Sequence, residues 1–269
     1  MTVKVEKKGP VWTVIHNRPE ARNAMDPESA DALTRAFLAF DADHEARVAV
    51  FYGEGGAFCA GWDLKYVSTL NQIYPLGELD IPPAGPRGNG GEIPRGPLGP
   101  SRLELDKPVI AAIAGPAVAG GMELALWCDF RVMQEDAYLG VYCRRWGVPL
   151  IDGGTVRLPR IVGQGRALDL ILTGRIVDAQ EALGMGLVTE VVEAGRHLER
   201  ALEYAEALAR YPQETMLADR RAAIEGLGMR LADGIALEAE SALPTPELAR
   251  RGASRFAGGE GRGGEGAGV

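Results

Sequence analysis

The chain is poor in the residues that mark many catalytic and structural classes. Its 269 residues include three cysteines, Cys59, Cys128 and Cys143, with no CxxC pair, so neither a disulfide framework nor a cysteine zinc site is indicated. The three histidines, His16, His44 and His197, have no HxxxH or HExxH spacing, and no metal is expected. No GxSxG is present, which leaves a serine nucleophile elbow unsupported. The strand-like run at 48–52 is followed by no GxGxxG, which disfavours a dinucleotide site. There is no basic surplus: 37 acidic against 29 basic residues leave a net charge of −8, which argues against nucleic-acid binding. No apolar run approaches the roughly 18 residues of a membrane-spanning helix, so no membrane partner is expected. The opening MTVKVEKKGP lacks an apolar signal core and reads as the first strand of a cytoplasmic protein. These absences leave carboxylates as the strongest chemical candidates.

What is present is an ordinary globular composition, 46% hydrophobic and 25% charged, long enough for one large domain with a small appendage. Its centre is KPVIAAIAGPAVAGGMELALWCDFR at 107–131. Pro108 opens a short apolar, β-branched run at 109–113, which predicts a buried strand. Gly115-Pro116 then breaks regular structure, Ala119-Gly120-Gly121 follows, and from Met122 the pattern turns helical. Glycines at a helix N-terminus let a ligand approach free N–H groups and the positive end of the dipole. Glu123 stands one turn inside an apolar helix. It is either a first-turn acid that favours the dipole or a general acid/base whose pKa an apolar setting raises.

Along the chain, residues 3–6 and 11–15 read as a hairpin about Gly9-Pro10. Asp26-Pro27 supplies a cap and first-turn proline for a helix to about Phe40, followed by a strand at 48–52. A second glycine-rich turn, 53–65, enters a helix. Residues 71–101 are crowded with proline and glycine and form either a lid or a disordered insert. A strand at 130–133 precedes a loop at 138–146, and 147–155 leads into a helix that Asp152 is placed to cap. Helix at 168–172, a turn at 173–175, a capping box at 178–181 and a strand at 187–192 come next. Amphipathic helices at 197–210, 212–225 and 229–243 follow, and from Gly252 the composition predicts disorder.

Two strand–glycine–helix turns, one ending at Trp62 and one at Gly120, can each aim a backbone N–H at one oxyanion; such a donor is worth roughly 3 kcal/mol. Five stretches together resemble the crotonase (enoyl-CoA hydratase/isomerase) superfamily: NRPEARNAM (17–25), AFCAGWDLK (57–65), KPVIAAIAGPAVAGGMELALWCD (107–129), GGTVRLPRIVG (153–163) and ILTGRIVDAQEALGMGLV (171–188). The likeness spans roughly 11–225. It implies an α/β fold, a spiral of ββα units, with a core at 1–195, a helical region at 196–251 that assembles a homotrimer or a dimer of trimers, and a tail at 252–269. It also implies an acyl-CoA thioester partner, with CoA part of the substrate and no separate cofactor, whose carbonyl lies between the amides of Trp62 and Gly120. Arg22 and Lys65 fall where the family places basic contacts to CoA, with Ala24, Ala60, Asp63 and Leu64 beside them; the alternative for the two cations is solvated surface charge.

Glu123 matches the first catalytic glutamate of the enoyl-CoA hydratases. The position of the second is taken by Cys143, either pocket lining or a reactive thiol, which would need a depressed pKa to act as a base. Asp152, on the same segment, is either a replacement acid or a helix cap. The expected activity is hydration of a 2-enoyl-CoA or the reverse dehydration. The same scaffold with one carboxylate would serve an isomerase, hydrolase or decarboxylase, and the missing glutamate leaves room for a non-catalytic acyl-CoA binder.

Overall fold

Strand β2 (Val11–His16) is buried along its whole length and pairs on one side with β1 (Val3–Lys8), antiparallel, through the expected hairpin. On its other side β3 (Val48–Gly53), β4 (Val109–Ile113), β6 (Phe130–Gln134) and β9 (Glu190–Val192) follow in parallel, giving the order β1-β2-β3-β4-β6-β9. Parallel strands covered on both faces read as continuous apolar runs; VIAAI of β4 is buried at every position. The computed structural model describes residues 1–70 and 96–259, so most of the proline- and glycine-rich segment (71–95) and the last ten residues of the expected tail (260–269) lie outside the described residues.

Helix α1 (Pro27–Ala42) starts as its sequence predicts. The Asp26 carboxylate accepts from the Ser29 N–H at 2.8 Å, and Pro27 occupies the first turn, where no N–H is needed. It buries Leu33, Phe37 and Phe40. Phe37 meets the rings of Phe51 and Trp127 edge-on at 5.4 and 4.8 Å, joining α1 to β3 and to α3 (Gly120–Trp127). Each buried large apolar side chain contributes about 2 kcal/mol.

Glycine turns leave β3 and β4 at their carboxyl ends, where open α/β sheets place ligands. Three segments differ from expectation. Pro116, expected to interrupt regular structure, begins the short strand β5 (Pro116–Val118), which pairs with β7 (Tyr138–Gly140) and so forms a second sheet, β5-β7-β8, with β8 (Ile176–Asp178). The loop expected at 138–146 is therefore β7 followed by a 3-10 turn, Tyr142–Trp146. Helix α3 begins at Gly120, two residues before the pattern becomes visibly helical.

Beyond α2 (Leu64–Val67) and α3 come α4 (Gly154–Val162), α5 (Gln164–Thr173) and α6 (Ala179–Gly184). Half of the capping box forms: Asp178 accepts from the Glu181 N–H, while the Glu181 carboxylate turns to Arg175. The chain divides into compact units Met1–Ala205 and Glu206–Val269, ten residues later than the sequence boundary. Helix α7 (His197–Arg210) spans the division. The second unit holds α8 (Gln213–Glu225), α9 (Leu231–Ala242) and α10 (Pro246–Ala257), none with a buried residue. Helix α10 runs through Gly252, where disorder was expected, because the glycine is flanked by helix formers and Pro246 starts the first turn.

Candidate active site

The two glycine turns meet. Chain 59–61 leaves β3 and pairs with β5: the Cys59 N–H donates to Pro116 O at 3.1 Å and the Val118 N–H to Cys59 O at 3.1 Å. Gly61 then turns at φ +88°, and a Cβ built there would lie 3.0 Å from the Gly120 nitrogen. Only glycine fits that position without strain. On the other side Ala119, a non-glycine residue at φ +53°, swings the chain into α3, a conformation that costs about 1–3 kcal/mol and tends to mark functional turns. Gly120 is the first residue of that helix, so its N–H has no intrahelical acceptor. Trp62 and Gly120 line one cavity of about 220 Å³.

Glu123 also lines it, only 3% exposed. Its Oε1 accepts from the backbone N–H groups of Asp152 at 2.9 Å and Gly154 at 2.8 Å. A Cβ on Gly154 would sit 2.9 Å from this carboxyl oxygen, so the glycine lets carboxylate and amide meet. The other oxygen, Oε2, has no hydrogen-bond partner among the described residues and is not sealed from the cavity.

Asp152 is 1% exposed and does not cap α4. The capping position is Gly153, and the Asp152 Oδ1 instead accepts from Ser101 Oγ and from the Leu98 N–H at 3.2 Å. The cap alternative is overturned because the chain reverses at Gly153, φ +97°, and sends the preceding side chain inward. Arg157, one turn into α4, donates to Asp152 O at 2.9 Å and Ser101 O at 2.8 Å, tying residues 51 positions apart.

Burial and then the Asp152 charge push Glu123 up to about 8, against the opposing pull of the two backbone donors and Arg157. Burial raises Asp152 as well, opposed first by Ser101 and Leu98. Two buried carboxyls this close titrate as a pair. Cys143 lines the cavity, and burial together with the Glu123 charge pushes its thiol up to about 11. A thiol so shifted is neutral near pH 7, which favours the lining alternative over a reactive thiolate.

Of the expected CoA contacts, Arg22, Ala60 and Leu64 line the cavity. Ala24, Asp63 and Lys65 do not. The Ala24 carbonyl accepts from Arg18, and Asp63 pairs with Arg18 at 3.0 Å and caps α2 through the Lys65 and Tyr66 N–H groups. Lys65 is exposed beside this cap. The sequence reading missed Leu98, Ser101 and Arg157. Arg157 carried a signal, a basic residue one turn after a double glycine, but Ser101 lay inside a segment with no readable pattern.

No helix among the described residues is long and apolar enough to cross a membrane, and no cluster there could hold a metal ion. The enoyl-CoA hydratase/isomerase family model matches residues 6–75 and 101–257. The enoyl-CoA hydratase EchA19 of Mycobacterium tuberculosis is 38% identical over 212 residues, 76% of this chain and 73% of its own. A probable enoyl-CoA hydratase of Rhizobium meliloti is 38% identical over 237 residues, 88% and 86% of the two chains. The crystal structure of an enoyl-CoA hydratase from Bacillus anthracis superposes with a TM-score of 0.83 at 31% identity, over 96% of both chains. The crotonase-like α/β architecture anticipated from the five stretches is thus the observed one, and the chain belongs to the enoyl-CoA hydratase/isomerase family.

Proposed function

We propose that the protein is an acyl-CoA lyase of the enoyl-CoA hydratase type, adding water to a 2-enoyl-CoA or removing it from the 3-hydroxyacyl thioester. The observation that carries this reading is Glu123: one oxygen is fixed by two backbone amides, and the other faces a cavity that also holds Asp152 and the first N–H of α3. The thioester oxygen accepts from the Gly120 and Trp62 amides. Arg22, Ala60 and Leu64 contact the CoA portion, with Ala24, Asp63 and Lys65 shaping and charging that entrance.

The paired carboxyls carry one proton between them, because like charges in a buried site do not both ionise. Burial raises both members, and we place the shared proton on Glu123, whose Oε2 is open to the cavity. In hydration, water attacks the β-carbon and its proton passes to the Asp152 carboxylate. The C2–C3 π electrons move onto the thioester as an enolate, which the amides stabilise, and Glu123 delivers its proton to the α-carbon. The pair ends with its proton on the opposite member and resets by exchange with water. Cys143 lines the wall as a neutral thiol.

The presence of Cys143 in place of a second glutamate favours one other reading, a single-acid isomerase shifting a 3-enoyl to a 2-enoyl thioester through Glu123 alone. Crotonyl-CoA and 3-hexenoyl-CoA supplied to the purified protein separate the two. Hydration of the first supports the lyase; isomerisation of the second with no hydration of the first overturns it. We further propose that the protein works in the cytoplasm and assembles as a homotrimer or a dimer of trimers. Exposed Ile224, Leu231, Ile235 and Phe256 on α8–α10 support assembly, and light scattering that shows only monomer would contradict it.

A further inference from the structure

The hydratase reading says nothing of which acyl group enters, and the cavity wall beyond Glu123 speaks to that. Three aromatic side chains come from one short segment, Tyr138 on β7 and Tyr142 and Trp146 on the 3-10 turn after it, with Cys143 between them. The Tyr138 and Tyr142 rings lie 6.2 Å apart at 35°. Trp146 lines the cavity yet is 69% exposed, a large flat apolar surface left wet. Val148 and Pro149 continue the wall without adding charge. Such a wall gains most from a flat apolar guest, since aromatic pairs gain beyond the area they cover.

Charge narrows the choice. A cationic acyl tail would seek the faces of these rings, but the Arg145 guanidinium already sits 3.6 Å from the centre of the Tyr142 ring. Among the described residues, an anionic tail finds no cation along the lining except Arg22, at the CoA entrance, and meets Glu123 and Asp152 instead. A glutamate at Cys143 would have put a third carboxylate into this wall; the neutral thiol keeps it apolar.

Size and stiffness narrow it further. The cavity is about 220 Å³, and a space of about 150 Å³ holds benzene. A ring and the two reacting carbons fit within such a space beside the CoA entrance at Arg22 and Leu64. A long flexible chain loses rotational freedom at each torsion on entering, whereas a ring conjugated to C2=C3 is already flat.

We infer that, given the hydratase reading on which this rests, the site takes aryl-substituted acyl groups, a 3-aryl-2-propenoyl thioester and its 3-hydroxy-3-aryl hydrate. In the dehydration direction the C2–H and C3–OH bonds break, C2=C3 forms and water leaves, with no further reactant. The conjugated product absorbs strongly, so this direction gives the assay. The intact protein is supplied with 3-hydroxy-3-phenylpropanoyl-CoA, 3-hydroxybutanoyl-CoA and 3-hydroxyoctanoyl-CoA. The expected result is a kcat/KM for the aryl substrate about 10-fold above both others. In Trp146→Ala, an exposed position whose change the fold tolerates, the aryl-to-octanoyl ratio falls about 5- to 10-fold. Aliphatic turnover equal to or faster than aryl turnover overturns this inference alone, as does an unchanged ratio in the variant. Failure of all three substrates overturns it together with the hydratase reading.

Discussion

The two carboxylates of the site are built in opposite ways. Glu123 sits on a self-contained unit, in which strand β4, the turn through β5 and Ala119, and the first turn of α3 occupy fifteen consecutive residues (109–123). The Asp152 side chain is held from a distance, by Leu98 and Ser101, while Arg157, five residues on, holds its carbonyl. The pair meets because the Asp152 backbone N–H donates to Glu123, so the second acid orients the first through its main chain and repels it through its side chain. A local pattern supplies the acid; the tertiary fold sets its ionisation.

Breaking the local half has the largest expected effect. Glu123→Gln keeps the shape and the two backbone hydrogen bonds but removes the proton-transfer group, and kcat falls about 10³-fold while acyl-CoA still binds, as stopped-flow turnover with calorimetric titration would measure. The same variant tests stability. In the folded state Glu123 titrates near 8, above the ordinary value of 4.5 it has when unfolded. Its contribution to stability is thus fully present below about 4.5 and lost as pH rises through about 8. The parent's Tm therefore falls across that window relative to Glu123→Gln, which thermal unfolding from pH 5 to 8.5 checks.

Breaking the distant half is expected to cost less and to move the pH profile. Asp152→Asn lowers kcat about 10²-fold. With the like charge gone, the Glu123 pKa drops, and the alkaline limb of the hydration rate moves to lower pH. Arg157→Met works in the opposite sense. Loss of a positive charge that favours the Glu123 carboxylate moves the alkaline limb to higher pH, and loss of two part-buried donor bonds costs about 1–2 kcal/mol in urea unfolding. Opposite shifts from the two variants would separate an electrostatic role from mere loosening, which moves both rates and no pKa.

The smallest effect is at Cys143. Cys143→Ala removes a neutral thiol from the wall, and kcat/KM is expected to change by no more than about 3-fold. A loss near that of Asp152→Asn would make the thiol a participant.

The same contrast explains what could be read in advance. The 109–113 strand, the α1 cap at Asp26 and the Asp178 cap each rest on residues within a few positions, and each appears where the pattern puts it. Strand β5 did not show, because Pro116 carries a turn signal and pairs as an edge-strand start only once β7 is beside it. The cap alternative for Asp152 failed because its partners lie about fifty residues away, in a stretch whose composition suggests only loop. Arg157 was visible as a residue but not as a tie between two segments, since nothing local marks its acceptors as Asp152 O and Ser101 O.

The most direct test of the account is a crystal structure with an unreactive acyl-CoA bound. The prediction is a thioester oxygen within hydrogen-bond reach of both the Gly120 and Trp62 amide nitrogens, with Glu123 Oε2 facing the α-carbon. A thioester oxygen that contacts neither amide, or an α-carbon turned away from Glu123, would contradict it.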